Sequence, residues 1–262
     1  MDSPGVSGAQ PDSRALRVAM WVAFGAYAFV YPFGIGLLVL GWMPPEAGWV
    51  GGVLLGAQGL TLTAWMARRY GMRRGLAAAA VIAMGAWALE AVGVTTGLPF
   101  GSYRYTPALG AWLGPVPLAI PFAWIASVVA AYFTAAWLLG HRASAVVTVA
   151  LGALLATLLD AVLEPVATRV QDYWQWEAGG AAYYGVPAAN FVTWFVASLL
   201  LGGVVRELTG PTVTPVARYG WLPVLLYGMS LLMFGVLDAA RGFWVPAALA
   251  GGLLLLLLGR LR

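Results

Sequence analysis

The chain has 262 residues, of which 61% are hydrophobic and 9% are charged, and its mean hydropathy is +0.83. This composition excludes a soluble domain and indicates a polytopic membrane protein, because apolar stretches long enough to cross a bilayer recur along the whole chain. Cysteine and lysine are absent and His141 is the only histidine, which excludes disulfides, a thiolate nucleophile, a retinal Schiff base and a bis-histidine haem. No metal site is expected.

The apolar segments predict an all-α bundle of about eight transmembrane helices. Residues 1–14 are polar and are predicted to form a short disordered tail before a single transmembrane domain, residues 15–262. The first apolar segment is too long for a signal-peptide core and has no convincing cleavage site, so we interpret it as a span. The predicted spans are 15–40, 49–66, 75–95, 117–139, 143–163, 186–205, 221–239 and 243–258, of which the last is the weakest.

The arginines predict the orientation of these helices. With the N-terminus in the cytoplasm, eleven arginines lie on the inner side, and only Arg104, Arg169 and Arg241 lie on the outer side. This asymmetry predicts cytoplasmic termini and a multi-pass protein of the cell's inner or plasma membrane. Because the arginines are scattered and form no patch, no nucleic-acid partner is expected. The two longest loops, 97–116 and 165–185, then lie on the outer side.

Four carboxylates interrupt the apolar runs: Glu90, Asp160, Glu164 and Asp238. Ionisable groups at membrane depth are costly and mark a functional site by default. Asp160 and Glu164 are four residues apart and share one helix face, where two adjacent negative charges are disfavoured, so one of them is expected to be protonated. A neutral acid of this kind can donate a proton. The alternative is a polar network that joins helices, and Asp238 is predicted to pair with Arg241.

Aromatic residues are dense in both outer loops. Tyr103, Arg104 and Tyr105 follow a turn-rich stretch, where an interfacial belt with a snorkelling arginine is an equally good interpretation. For Trp174 and Trp176 in the second loop, the interfacial belt is the favoured interpretation. The loop continues with Tyr183 and Tyr184, and Asn190 and Trp194 follow at the start of the next span. For Tyr184 and Asn190 we favour a pocket over a belt.

The missing motifs narrow the chemistry. The chain has neither a glycine-rich phosphate loop nor an aspartate-rich diphosphate site, which argues against an intramembrane prenyltransferase. A cofactor-free acid–base reaction on an apolar substrate fits better. Protonation of an isolated alkene gives a tertiary carbocation that aromatic faces stabilise, and water delivered by a second carboxylate would complete a hydration.

Several separated blocks carry a family resemblance. They are Glu90 with GLPFGSYRY at 97–105, Asp160 with EPVA at 164–167, WQW at 174–176, and YYGVP at 183–187 followed by Asn190, Phe191 and Trp194. Together, over residues 85–205, they resemble the carotenoid-biosynthesis hydratases of bacteria and archaea. The chain departs from that pattern in having Glu164 where aspartate is expected before proline, and Thr193 where glycine is expected before tryptophan.

The resemblance implies an integral membrane carotenoid 1,2-hydratase of the bisanhydrobacterioruberin hydratase type. Such an enzyme adds water, without a cofactor, to the terminal double bond of an acyclic ψ-end carotenoid such as lycopene, γ-carotene or a bacterioruberin precursor. Asp160 or Glu164 would be the proton donor, and the other acid or Glu90 would activate water. Asn190 would hold the water. The substrate-binding residues would be Tyr103, Arg104, Tyr105, Trp124, Tyr183, Tyr184, Asn190 and Trp194.

The expected partners are the lipophilic carotenoid and membrane lipid, with other carotenoid-biosynthesis enzymes as candidates. The alternative function is a non-catalytic carotenoid-binding or helper protein of a biosynthetic complex, which would use the same cleft without chemistry. A solute transporter is disfavoured, because the sequence shows neither an inverted repeat nor a pair of broken helices.

Overall fold

A computed structural model describes residues 14–140, 143–177, 183–210 and 220–261. This part of the chain contains eight α-helices and two short antiparallel strand pairs. The helices are α1 Arg14–Leu40, α2 Trp49–Tyr70, α3 Met72–Thr96, α4 Ala119–Leu139, α5 Ala145–Arg169, α6 Ala188–Thr209, α7 Leu222–Ala240 and α8 Trp244–Arg260. The strands are β1 Tyr103–Tyr105, β2 Trp112–Leu113, β3 Val116–Pro117 and β4 Trp174–Trp176.

The predicted helical membrane bundle is confirmed. Within the described ranges, seven helices are long and apolar enough to cross a membrane, and α8 is a shorter apolar helix. Helices suit this environment because each satisfies its own backbone hydrogen bonds. The predicted tail falls on residues 1–13, which lie outside the described residues, and Arg14 already belongs to α1. His141, Arg142, Arg218 and Arg262 also lie outside the described residues.

The fifth helix is longer than predicted. Pro165 was expected to end it, but α5 continues through this proline to Arg169. A proline inside a helix deprives the carbonyl four residues earlier of its N–H donor. That carbonyl belongs to Ala161, and it accepts a 2.8 Å hydrogen bond from the hydroxyl of Tyr183 instead. The replacement donor explains why the helix tolerates the proline, and it gives Tyr183 a structural role.

Helix α4 is the centre of the bundle. Most of its side chains are buried, and it packs against α2, α3, α5, α6 and α7. Small residues allow close approach: a Cβ atom on Gly59 would lie 2.8 Å from Phe122, and one on Gly152 would lie 3.0 Å from Tyr132. Helix α1 is the most exposed, and its main contact is with α2. The centre of the bundle is therefore tightly packed, whereas α1 covers its side loosely.

The two aromatic loops join at one end of the bundle. Strands β1 and β4 pair antiparallel, with Tyr103 opposite Trp176, Arg104 opposite Gln175, and Tyr105 opposite Trp174. Side chains alternate between the faces of a strand, so the four aromatic residues share the face opposite Arg104 and Gln175. We call this end of the bundle the sheet end. That it faces the outer side of the membrane stays a prediction.

Candidate active site

Three buried acids line one cavity below the sheet end. Glu90 on α3 and Asp160 and Glu164 on α5 are 6%, 1% and 1% exposed, and all three line a cavity of about 330 Å³. Glu90 lies six residues before the end of α3, about 9 Å along the helix axis. Glu164 lies five residues before the end of α5. The cavity wall is otherwise mainly apolar and aromatic, so the acids are its most polar feature.

Glu90 accepts three hydrogen bonds. Its Oε2 atom accepts from the hydroxyls of Tyr103 at 2.5 Å and Tyr105 at 2.7 Å, and its Oε1 atom accepts from Trp124 Nε1 at 2.8 Å. Burial is the larger cause that raises the pKa of both tyrosine hydroxyls above the ordinary value of tyrosine, and the nearby Glu90 charge raises it further. Both hydroxyls therefore keep their protons and remain donors to Glu90.

Glu164 and Asp160 are joined by Asn190. The Nδ2 atom of Asn190 donates to Asp160 Oδ2 at 2.8 Å and to Glu164 Oε1 at 3.2 Å. The other oxygen of Glu164 accepts from the indole N–H groups of Trp174 at 3.2 Å and Trp176 at 3.1 Å. The two carboxyl groups thus lie within two hydrogen-bond lengths of each other. Both of these bonds orient acids, and the expected role of Asn190 in holding the water stays a prediction.

Trp174 and Trp176 belong to the site, which corrects their interpretation as an interfacial belt. Their β4 strand turns both indoles toward the cavity, where each N–H reaches Glu164. The signal was present in the sequence, since YRY and WQW both alternate aromatic and polar residues with the period of a strand. It was missed because three residues per strand give a weak pattern on their own.

Aromatic rings complete the wall. Trp124 and Trp194 stack in parallel, with ring centroids 3.8 Å apart and an interplanar angle of 4°. Tyr103 contacts Trp176 with a centroid separation of 5.0 Å. Together these rings give the acids an apolar, electron-rich surrounding that suits a cationic centre. Within the described ranges, no three histidine, cysteine, aspartate or glutamate side chains are arranged so that they could hold a metal ion.

Comparison with known proteins assigns the chain to a family. Residues 50–257 match the family described as "Carotenoid biosynthesis protein". The chain belongs to this family. The resemblance inferred from the sequence blocks is thereby confirmed, and the match includes every acid and aromatic residue of the site.

One relative in this carotenoid biosynthesis family carries a specific name. Over 139 residues the chain is 39% identical to the bisanhydrobacterioruberin hydratase of Haloarcula japonica. The aligned segment covers 52% of this chain and 44% of the relative. The matched part therefore spans less than half of the relative's length. No solved structure matches the chain.

Three expected substrate-binding residues of this family member do not line the cavity. Arg104 is exposed, and its guanidinium donates to Gln175 Oε1 at 2.6 and 3.0 Å on the outer face of the strand pair. The hydroxyl of Tyr183 donates to the carbonyl of Ala161, and the ring of Tyr184 packs against Phe243. Tyr103, Tyr105, Trp124, Asn190 and Trp194 do line it, together with the three acids.

The predicted ion pair between Asp238 and Arg241 is wrong. Both carboxyl oxygens of Asp238 are buried and have no hydrogen-bond partner among the described residues. Arg241 lies just beyond α7 and donates instead to the carbonyl of Leu38 at 2.8 Å. Leu38 is in the last turn of α1, where the negative end of the helix dipole and unpaired carbonyls attract a cation.

Proposed function

We propose that this protein is a carotenoid hydratase, which adds water across the terminal double bond of an acyclic ψ-end carotenoid. Lycopene, γ-carotene and bacterioruberin precursors are the substrate class. The family and the name of the Haloarcula relative support this function. The observation that carries it is the cluster of three buried acids facing an apolar, aromatic cavity. Such a cavity suits a hydrocarbon end, and the acids supply the proton chemistry.

The hydrogen bonds support a division of roles among the acids. Glu90 and Glu164 each accept three hydrogen bonds from neutral donors, and this favours their ionised form. Asp160 accepts one such bond, and its neighbour Glu164 disfavours a second charge. The shared proton therefore resides on Asp160 in our proposal, and Asp160 is the proton donor.

The proposed reaction consists of proton transfer to the alkene followed by capture of water. The π electrons of the terminal alkene form a C–H bond with the Asp160 proton, which leaves a tertiary carbocation on the adjacent carbon. One free outer face of the stacked Trp124–Trp194 pair stabilises this cation. A water oxygen forms the C–O bond and loses a proton to Glu164, and that proton returns to Asp160. The net change is the addition of one water.

The cavity also suits delivery of the substrate from lipid. Phe33 and Leu37 of α1 line the cavity, yet they are 60% and 37% exposed on the outside of the bundle. The same side chains thus border both the cavity and the surface that faces lipid. We propose that the carotenoid end enters beside them, while the rest of the polyene remains in the membrane.

Production of a hydrated carotenoid in cells tests this function. The chain is expressed in a lycopene-producing host, and in a second host that makes a bacterioruberin precursor. Pigments are separated and weighed by mass spectrometry. We expect a product heavier by one water, and at least about a hundredfold less of it from Asp160→Asn at equal protein level. Unchanged pigment in both hosts, with the wild-type protein folded in the membrane, would contradict the proposal and favour a carotenoid-binding role.

A further inference from the structure

A second group of polar side chains lines the cavity on helices that carry none of the three acids. Tyr27 on α1, Gln58 on α2 and Ser230 on α7 each lie near the middle of their helix. A polar group at this depth is costly unless it is hydrogen-bonded, and it marks a functional site by default. The reaction proposed above uses none of these three residues.

Two polar atoms of this group, the hydroxyl of Tyr27 and the amide oxygen of Gln58, form no hydrogen bond with the described residues. Gln58 Nε2 donates to Ser230 Oγ at 3.2 Å, and Ser230 Oγ donates to the carbonyl of Leu226 at 3.0 Å. Tyr27 is 1% exposed, and its hydroxyl has no partner in the described part of the chain. Gln58 and Ser230 face this hydroxyl without hydrogen-bonding geometry. The Oε1 atom of Gln58 likewise accepts no bond from the described residues.

Other tyrosines on α1 and α7 show that an unpaired hydroxyl is not a general property of tyrosines on these helices. The hydroxyl of Tyr31, one turn along α1, donates to the carbonyl of Met229 at 2.8 Å. The hydroxyl of Tyr227 on α7 donates to the carbonyl of Leu155 at 2.8 Å. Buried hydroxyls are paired in most native structures, so an exception at a cavity wall calls for an explanation.

We propose that Tyr27, Gln58 and Ser230 form a second subsite, which binds a hydroxyl oxygen. The ligand would accept the O–H of Tyr27 and donate its own O–H to Gln58 Oε1. A hydroxyl oxygen satisfies both groups, whereas a hydrocarbon satisfies neither and a carbonyl satisfies only Tyr27. The identity of the ligand rests on the proposed function. It is either the water consumed by hydration or the alcohol of a hydroxylated carotenoid.

Tyr27→Phe is the informative variant, because it removes the unpaired hydroxyl without removing a bond within the protein. Tyr227→Phe is its matched control, since it deletes a paired hydroxyl outside the cavity lining. Wild type and both variants are reconstituted in nanodiscs with equal amounts of lycopene and its tertiary alcohol. The ratio of bound pigments and the rate of lycopene hydration are then measured.

Each source of the hydroxyl gives its own result. If the alcohol binds there, Tyr27→Phe lowers the ratio of bound alcohol to bound lycopene about fivefold, as expected for one neutral hydrogen bond. If water binds there, Tyr27→Phe lowers the hydration rate about fivefold at an unchanged pigment ratio. Tyr227→Phe keeps the wild-type ratio in both cases.

The subsite is overturned if Tyr27→Phe matches wild type in both measurements, or if it changes them no more than Tyr227→Phe does. Failure of the proposed function is a separate result. If the wild-type protein binds pigment but hydrates none, the hydratase assignment is wrong. The pigment ratio alone then decides the subsite, and an unchanged ratio in Tyr27→Phe rejects it.

Discussion

Replacing each acid of the Asp160–Glu164 pair by its amide should affect stability very differently. Glu164 accepts Asn190 on one oxygen and two indole N–H groups on the other. An amide in its place turns one of these oxygens into an N–H donor, so at least one donor of the protein loses its acceptor. A buried donor left unsatisfied costs about 1–3 kcal/mol. We therefore expect Glu164→Gln to destabilise the fold by at least about 1 kcal/mol.

Asp160→Asn should be much milder for the fold. Its retained oxygen can still accept from Asn190, and the new N–H₂ group takes the position of the protonated oxygen. We expect less than about 1 kcal/mol of destabilisation, because no donor loses its acceptor. The same variant removes the proton donor, and hydration should fall about 10²–10⁴-fold, the usual contribution of general acid catalysis.

The assay pairs thermal unfolding in detergent with the hydration rate. Glu207→Gln is the matched control, because Glu207 is an exposed residue whose ion pair with Arg206 contributes little. Its unfolding midpoint should equal that of wild type. If Asp160→Asn lowers the midpoint as much as Glu164→Gln does, the proton does not reside on Asp160 and the assignment of donor and base must be exchanged.

Three further outcomes are expected. Trp194→Leu removes one face of the stacked pair with Trp124 and should slow hydration about tenfold or more, the contribution of a desolvated cation–π contact; an unchanged rate would exclude that role. Asp238→Leu should raise the unfolding midpoint because it removes a buried, unpaired carboxyl group, whereas a lower midpoint would point to an ion pair with Arg241. Burial raises the pKa of Tyr173 to about 12, so on raising the pH the unfolded chain loses this proton before the folded protein does. The effect of this group on the free energy of unfolding should therefore be absent below pH 10, and stability should fall between pH 10 and 12. A Tyr173→Phe variant should lose less stability than wild type over that range.

The sequence was sufficient for the class of fold and for the acids. Hydropathy is a local property, so the spans could be read along the chain, and the structure has a helix at every predicted span, although α5 continues six residues beyond its predicted end. The spacing of Asp160 and Glu164 placed them on one helix face, where the structure has them sharing Asn190. The blocks around these acids also carried the resemblance that the family match confirms.

What the sequence could not give depends on contacts between distant segments. The pairing of β1 with β4 joins loops about 70 residues apart, and in this pairing Trp174 and Trp176 face the cavity while Arg104 faces away from it. Arg241 donates to the carbonyl of Leu38 at the end of α1 and not to Asp238, its neighbour in sequence. The ends of α1 and α7 meet only in the packed bundle, so the sequence alone could not show this contact. Composition and periodicity thus determined a membrane bundle with acids in its interior. Tertiary packing decided which donors hold those acids and which buried polar groups have no partner in the described part of the chain.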